Sequence, residues 1–335
     1  MNHSQSQPPF WYPAEFFRQG RRDLRHTANP IGFLLLFVAL SFTFLPAAFS
    51  SLLALIGYRG SVQYAAYGNI DPVLYYLIQG CQFALSLAAP AFLYVALYRP
   101  PVERIVPCRR TPAPLFLSLL CLGLGLSLFA NLPSQWMVDR FSAFFSGDVG
   151  GQTGAVAISL PVLVLMLLRH CVFPAFFEEF LFRGIVLGQL RRFGEGFAIF
   201  TSALLFGMFH GNLQQIPFAF LVGLVLGYLL VRTNNLWLTA GVHFLNNVVA
   251  TLPELLGFFL SDDQLNLVQA IVFAGVFVLA AAALLYLFFF HRALLLPRFP
   301  WHPLPLGMRL AAFFSSIGII LLLLMNIGET IWRAA

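Results

Sequence analysis

Long apolar runs constrain this chain more than any other feature of its sequence. A helix needs about 20 apolar residues to cross the hydrocarbon core of a bilayer, and runs of this kind recur through the 335 residues. Apolar residues make up 59% of the chain and charged residues only 10%, which excludes a soluble domain of ordinary composition. The sequence therefore predicts an all-α polytopic membrane protein.

The length criterion predicts eight or nine transmembrane helices. They lie near residues 31–56, 73–98, 115–133, 157–191, 197–211, 215–231, 236–256, 268–290 and 309–328. The first three and the last two are clear, whereas those between them are short and interrupted by polar residues. We expect four regions, namely a polar cytoplasmic N-terminal tail at 1–30, N-terminal membrane helices at 31–155, a membrane core at 156–256 and C-terminal membrane helices at 257–335.

The positive charges predict membrane orientation. The net charge of +6 rests on arginine alone, because the chain has no lysine. The arginines lie between apolar runs rather than along one stripe, so we expect no nucleic-acid partner. With the N-terminus inside, all loop arginines except Arg59, Arg140 and Arg333 are cytoplasmic, and the acidic loops that carry Asp148 and Glu254 are outside. This pattern predicts an integral protein of the plasma (inner) membrane with a cytoplasmic N-terminus.

A group of polar residues interrupts the apolar runs between residues 178 and 247. Its members are Glu178, Glu179 and Arg183 in PAFFEEFLFRG, His210 in FGMFH, and His243 and Asn247 in HFLNN. An ionisable residue costs roughly 2.5–3.5 kcal/mol at the bilayer centre, so the three charges of the first motif would together cost about 8–10 kcal/mol if unpaired. These residues must therefore meet partners or a water-filled cavity.

Helical spacing predicts how these residues meet. Glu179 and Arg183 are four residues apart with the acid first, which favours an intrahelical pair and leaves Glu178 about 100° away on another face of the helix. Glu178 lies 16 residues before Gly194 and His210 lies 16 residues after it, so a helical hairpin would bring both to one depth. His243 and Asn247 are again four residues apart and share a face.

The predicted arrangement is sufficient for the hydrolysis of a peptide bond by water. A carboxylate in apolar surroundings has a raised proton affinity, which suits Glu178 as a general base acting with His210 on a water molecule. His243 and Asn247 could donate hydrogen bonds to the oxyanion that forms on the scissile carbonyl group. Each of the four groups then has a distinct role.

Three motifs resemble those of the CAAX-type prenyl endopeptidases and bacteriocin-processing enzymes, a family of intramembrane glutamic proteases. The family pattern of EExxxR, FxxxH and HxxxN is matched in order over roughly residues 160 to 252. The matching positions are Glu178, Glu179 and Arg183, then Phe206 and His210, then His243 and Asn247. One such motif is weak evidence, but three in order on apolar helices are a specific signal.

The resemblance implies that residues 156–256 form the catalytic core of an intramembrane endopeptidase. Glu178 would be the catalytic glutamate, His210 would position water, and His243 with Asn247 would be the oxyanion donors. Glu179, Arg183 and Phe206 would support them, with no metal ion and no organic cofactor. The substrate would be a peptide or protein, and its identity stays open, because prenylated C-terminal motifs, peptide leaders and membrane-protein segments would all need the same hydrolytic groups.

Other chemistries remain open for the same residues. Glu178, His210 and His243 are acceptable zinc ligands, although the chain has no HExxH motif. Cys171 could be a thiol nucleophile, but a free cysteine in an apolar run is more often a small buried hydrophobe. Arg169 and His170 match no motif, so we interpret Arg169 as snorkelling to the membrane surface and His170 as a core histidine.

Two further functional classes could use intramembrane Glu and His residues. A proton-coupled transporter could use them as a proton relay, but such a protein often shows inverted repeats, which this sequence lacks. A membrane scaffold that binds a partner without proteolysis is the other class. The intact polar set favours the protease, because a protein without catalysis would not need every one of these costly residues.

Overall fold

The computed structural model describes residues 13–55, 57, 71–141, 159–212, 214–297 and 300–334. These residues are almost entirely helical and include no strand, which confirms the predicted all-α class. The positions predicted to face outwards at Arg59 and Asp148 lie outside the described residues.

The helices are numbered here in chain order. They are α1 (Ala14–Leu55), α2 (Pro72–Tyr98), α3 (Val102–Ile105), α4 (Ala113–Phe129), α5 (Asn131–Phe141), α6 (Leu160–Phe193), α7 (Glu195–Phe209), α8 (Ile216–Thr233), α9 (Leu236–Leu256), α10 (Asp262–Phe290), α11 (Arg292–Leu295), α12 (Leu306–Phe314) and α13 (Ile317–Ala334).

Six helices of the described chain are long and apolar enough to cross a membrane, or seven if α12 and α13 form one bent span. The predicted count of eight or nine is therefore not confirmed. The helix α7 has only 15 residues, and at 1.5 Å per residue it is shorter than a bilayer core. The polar residues of α9 lower its hydropathy, and α12 meets α13 at an angle of 70°.

The first helix begins well before its predicted span. It starts at Ala14, so most of the described part of the predicted tail at 1–30 is helical, and Leu24 and Ala28 are fully buried. The reason is packing against the end of the chain, since Arg25 donates to the Ser315 hydroxyl at 3.1 Å. The N-terminal extension of α1 therefore belongs to the folded bundle.

Local signals explain where the helices around the site begin and end. Asp71 caps α2 by accepting hydrogen bonds from two backbone N–H groups at 2.9 and 3.1 Å, and Asn235 caps α9 in the same way at 3.0 and 3.3 Å. Gly194 joins α6 to α7 with a φ of 111°, a conformation that L side chains rarely adopt. The predicted hairpin between α6 and α7 therefore forms at the predicted glycine.

Small residues allow several helix pairs to pack closely. A Cβ atom added to Gly32 of α1 would overlap the backbone of Gly318 in α13, so the first and last helices cross at a pair of glycines. A Cβ atom on Gly125 of α4 would similarly overlap the side chain of Ala280 in α10. Close approach of this kind is typical of helix pairs in membranes, where packing replaces the hydrophobic effect.

The surface of α10 shows that the chain is an integral membrane protein. Its 29 residues are apolar after the first two turns, yet only Ala280, Ala283 and Leu287 are buried. Large side chains such as Ile271, at 62% exposed, and Phe289, at 72%, face outwards. An apolar surface of this length cannot face water without aggregation, so it faces lipid.

Arginine side chains join the helices at one end of the bundle. Arg192 at the end of α6 donates to the Thr27 hydroxyl of α1 at 2.6 Å, and Arg309 of α12 donates to the carbonyl oxygen of Phe193 at 2.6 Å. Arg232 at the end of α8 donates to the carbonyl oxygen of Ala293 in α11. This end carries the loops that were predicted to be cytoplasmic from their arginine content.

Candidate active site

The EExxxR motif lies in a stretch of π-helix within α6. Residues Leu168–Val172 and Pro174–Leu187 make hydrogen bonds with the wider π pattern, which is uncommon and is often found at functional sites. A π-helix has more residues per turn than an α-helix, so the predicted 100° between Glu178 and its neighbour Glu179 does not apply here. Both carboxylates are buried in the protein interior.

Glu179 is neutralised by two neighbours. Its Oε1 atom lies 2.9 Å from Nη1 of Arg183, as the spacing of four residues predicts, and 3.0 Å from Nδ1 of His243 on α9. The Arg183 guanidinium also lies over the ring of Phe206, with its carbon 4.2 Å from the ring centre. Because each side chain of the Glu179–Arg183 pair is only 1% exposed, these contacts offset part of the cost of removing both charges from water.

His243 joins the two glutamates of the motif. A carboxylate oxygen can only accept a hydrogen bond, so the Nδ1–H group of His243 donates one to Glu179. This hydrogen bond fixes the orientation of the ring. The other nitrogen, Nε2, lies 3.9 Å from Oε2 of Glu178. The imidazole ring is therefore held against one glutamate and turned toward the other.

His210 follows the last residue of α7 and is oriented by its own helix. Its Nδ1 atom lies 2.9 Å from the carbonyl oxygen of Phe206, which can only accept, so Nδ1 carries a proton in this arrangement. In the neutral ring Nε2 then has a free lone pair. The ring packs edge-on against Phe206, with the ring centres 5.0 Å apart.

The four residues predicted to do the chemistry line one cavity of about 780 Å³. The α6–α7 hairpin brings Glu178 and His210 to it, while His243 and Asn247 reach it from one face of α9. Other polar residues of the wall are Thr43, Arg169, His170, Gln215, Thr251, Glu254, Asn326 and Glu329. Glu179 and Phe206 do not line the cavity but contact His243 of its wall, and Arg183 contacts both of them.

Two interpretations made from the sequence are wrong. Arg169 does not snorkel to the membrane surface, because it lines the cavity with its guanidinium over Phe83, 4.3 Å from the ring centre. His170 is not a core histidine, because it is partly exposed in the cavity and its Nδ1 lies 3.6 Å from Oε2 of Glu254. Both residues precede Glu178 by about two helical turns, so they reach the same side of α6.

Glu254 lies in α9 rather than in the predicted outer loop, because the helix continues through Pro253 to Leu256. The sequence contained a signal for this position. The spacing from His243 to Asn247 and on to Glu254 repeats at four and seven residues, which is one face of a helix. Extending the HxxxN face by two turns would have placed Glu254 in the cavity wall.

The geometry bears on the two other chemistries considered from the sequence, a cysteine nucleophile and a zinc site. Cys171 is fully buried, and its sulfur lies 3.7 Å from the Thr251 hydroxyl, as expected of a small core residue. Among the described residues, no three His, Cys, Asp or Glu side chains come together as a set of metal ligands. Of the zinc ligands considered from the sequence, His243 donates from Nδ1 to Glu179 and turns Nε2 toward Glu178.

Comparison with known proteins connects this region to peptidases. Residues 160–249 match the family described as "Type II CAAX prenyl endopeptidase Rce1-like". A Bacillus subtilis (strain 168) protein named "Putative membrane peptidase YdiL" is 24% identical over 117 residues, which are 35% of this chain and 48% of that protein. The chain thus spans about half the length of this curated relative. No solved structure matches. The family match confirms the resemblance indicated by the three motifs, all of which lie inside it.

Proposed function

We propose, from the Rce1-like match over residues 160–249, that this chain is a CAAX-type intramembrane endopeptidase in which Glu178 and His210 activate water. The observation that supports this proposal best is the convergence of Glu178, His210, His243 and Asn247 on one cavity. Its volume of about 780 Å³ lies within the range of about 300–1,000 Å³ typical of ligand pockets.

Glu178 is the general base of the proposed reaction. Its neighbour Glu179 is already paired with Arg183, so Glu178 is the carboxylate of the motif that faces the cavity. It takes a proton from water while the free Nε2 of His210 accepts the second hydrogen of the same water as a hydrogen bond. The hydroxide that forms attacks the scissile carbonyl carbon.

His243 and Asn247 stabilise the tetrahedral intermediate. The Asn247 amide donates from one side, and Nε2 of His243 donates from a ring that enters the reaction with a proton on both nitrogens and keeps both of them. Glu179 and Glu178 flank that ring at 3.0 and 3.9 Å. Collapse of the intermediate breaks the C–N bond, and Glu178 returns its proton to the leaving amine.

The proposed substrate is a peptide or protein, either lipidated or embedded in the membrane, because the cavity lies among apolar helices. The proposed location is the plasma (inner) membrane with a cytoplasmic N-terminus, which the arginine content of the loops supports. Protein termini created in the host membrane would reveal the substrate class directly.

The test compares protein termini in membranes that contain the wild type, Glu178→Gln or Glu254→Gln. Glu254 is a matched control, because it is a second carboxylate of the same cavity wall with no role in the proposed steps. Loss of a general base lowers the rate by about 10²–10⁴-fold, so the new termini should vanish in Glu178→Gln and persist in Glu254→Gln. Equal amounts of each variant in the membrane are required.

Two results would overturn parts of the proposal. Identical termini in the wild type and in folded Glu178→Gln would refute proteolysis by this glutamate and favour a proton relay. Activity that disappears on chelation and follows added zinc would instead assign a metal-dependent peptidase. We expect hydrolysis to persist after exhaustive chelation.

A further inference from the structure

A second cavity of about 400 Å³ lies at the arginine-rich end of the bundle, away from the proposed active site. Three parts of the chain form it. They are the short helix α3, the turn between α6 and α7, and the segment that precedes α12. Its lining residues are Arg104, Gly188, Arg191, Arg192, Gly194, Glu195, Pro300, Trp301 and His302. No step of the proposed hydrolysis uses any of them.

Two glycines of the cavity wall pack closely against neighbouring groups. A Cβ atom on Gly188 would lie 2.5 Å from the carbonyl oxygen of Arg104, and one on Gly194 would overlap the Arg309 guanidinium. A side chain at either position would force these neighbours to move. At these two positions the cavity is therefore lined by backbone, beside the charged side chains of the other lining residues.

The cavity has a surplus of positive charge. Three arginines line it against one carboxylate, and that carboxylate, Glu195, already pairs with Arg191 at 2.7 Å. Arg192 donates to Thr27, which leaves the remaining N–H groups of its guanidinium available. Within the described chain the side chain of Arg104 makes no ion pair, although it lines the cavity. The positive charge that no protein carboxylate balances would attract an anion.

The start of α7 adds a second source of attraction for an anion. Gly194 is its N-cap residue and provides no side chain to accept from the first backbone N–H groups of this 15-residue helix. These groups and the helix dipole favour a bound anion at this position. Arginine forks together with backbone N–H groups are the donors that suit phosphate oxygens best.

The position of the cavity favours a lipid as the source of the phosphate. It lies at the end of α6, a membrane span, among the loops with the most arginine. Trp301 is 56% exposed at its edge, and exposed tryptophan is typical of the level of the lipid headgroups. Basic pockets between membrane helices on this side of a bilayer bind anionic headgroups. We infer that this cavity binds the phosphate headgroup of an anionic membrane lipid.

The test measures the unfolding temperature of the purified full chain in nanodiscs. The lipid that remains bound to the purified chain is measured as well. The probes are phosphatidylcholine alone and phosphatidylcholine mixed with phosphatidylglycerol. The variant is Arg104→Gln, which removes an exposed guanidinium and keeps the backbone carbonyl that packs on Gly188. Arg110→Gln is the matched control, because Arg110 is exposed on the same loop and does not line the cavity.

Phosphatidylglycerol should raise the unfolding temperature of the wild type and of Arg110→Gln. In Arg104→Gln the apparent affinity for this lipid should fall about tenfold, as expected for the loss of a hydrogen bond between charged groups. Equal unfolding temperatures in both lipids, or equal losses in both variants, would overturn the site. A full shift produced by inorganic phosphate alone would keep the anion site and refute the lipid as its ligand. Arg104→Lys, which keeps the charge, checks that a loss in Arg104→Gln is not a folding defect.

Discussion

At the scale of single residues, the charges buried near the proposed site differ in how they are balanced. Glu179 and Arg183 balance each other inside the protein, with His243 as a third partner. Glu178 instead faces the cavity, where water or a substrate can reach it. Substitution of Glu179 should therefore affect stability, whereas substitution of Glu178 should affect mainly activity.

Glu179→Gln should lower stability as well as activity. It leaves Arg183 buried beside a neutral amide, and breaking a buried pair in this way costs about 3–5 kcal/mol. Thermal unfolding in detergent would show this loss, and Glu179→Gln combined with Arg183→Met should recover part of it. Glu254→Gln is the control, since its pair with His170 is about one-third exposed. An unchanged unfolding temperature in Glu179→Gln would contradict the pairing described here.

Asn247→Ala should lower the rate of hydrolysis by about 10²–10³-fold, which is typical for the loss of one oxyanion donor. Binding of substrate should change little, because the donor acts mainly in the transition state. The comparison is with Gln215→Ala, which removes an exposed amide from the same cavity. Separate measurement of kcat and KM distinguishes an oxyanion donor from a residue that binds substrate. If KM rises while kcat stays constant, Asn247 binds substrate and does not stabilise an oxyanion.

At the scale of helices, α6 combines features that its sequence only partly predicts. The apolar run and the EExxxR motif predict a membrane helix with an internal ion pair, and both are present. The π-helical winding was not predicted, because apolar periodicity identifies a helix without fixing its residues per turn. The contact between α6 and α3 was missed too, since Gly184 and Gly188 of α6 meet the backbone of a short helix that lies far from them in sequence.

Gly184→Ala should destabilise the protein by about 1–3 kcal/mol, the usual cost of overpacking. The added methyl group would overlap the carbonyl oxygen of Ile105, and backbone cannot move aside as a side chain can. Gly275→Ala is the matched control on α10, where a Cβ atom meets nothing within 4 Å. Alanine is the better helix former, so Gly275→Ala should be neutral or stabilising. Equal unfolding temperatures for the two variants would refute the close contact of α3 with α6.

At the scale of the whole molecule, the sequence predicted the class of fold better than the number of spans. Composition and run length are enough to predict membrane helices, but a run of apolar residues does not show where a helix bends. The run at 309–328 is divided near Ser315 and Ser316, where α12 ends and α13 begins. The depth of Arg169 was also not predictable, because its neighbour Phe83 comes from another helix.

Stability should decrease as the pH falls below about 6.5, in part because of His302, which lies before α12. Burial, and then the charge of Arg309, lower the pKa of His302 from its usual 6.5. The unfolded chain therefore binds a proton at a higher pH than the folded chain, so unfolding is favoured as the pH falls through this range. Unfolding temperatures at pH 7.5, 6.5 and 5.5 should fall less steeply in His302→Gln. Parallel pH profiles for the two proteins would contradict this assignment.

The wall of the large cavity includes residues from both extremes of the described chain. Ala39, Phe42 and Thr43 belong to α1, whereas Asn326 and Glu329 belong to α13. A ribosome makes the EExxxR, FxxxH and HxxxN motifs before it makes α13, so the wall of the cavity stays incomplete until this helix is made. A nascent chain therefore holds every catalytic group we propose before the wall of their cavity is complete. For the hydrolysis proposed above, we expect activity to begin only after α13 has packed against α1 and added Asn326 and Glu329 to the cavity wall.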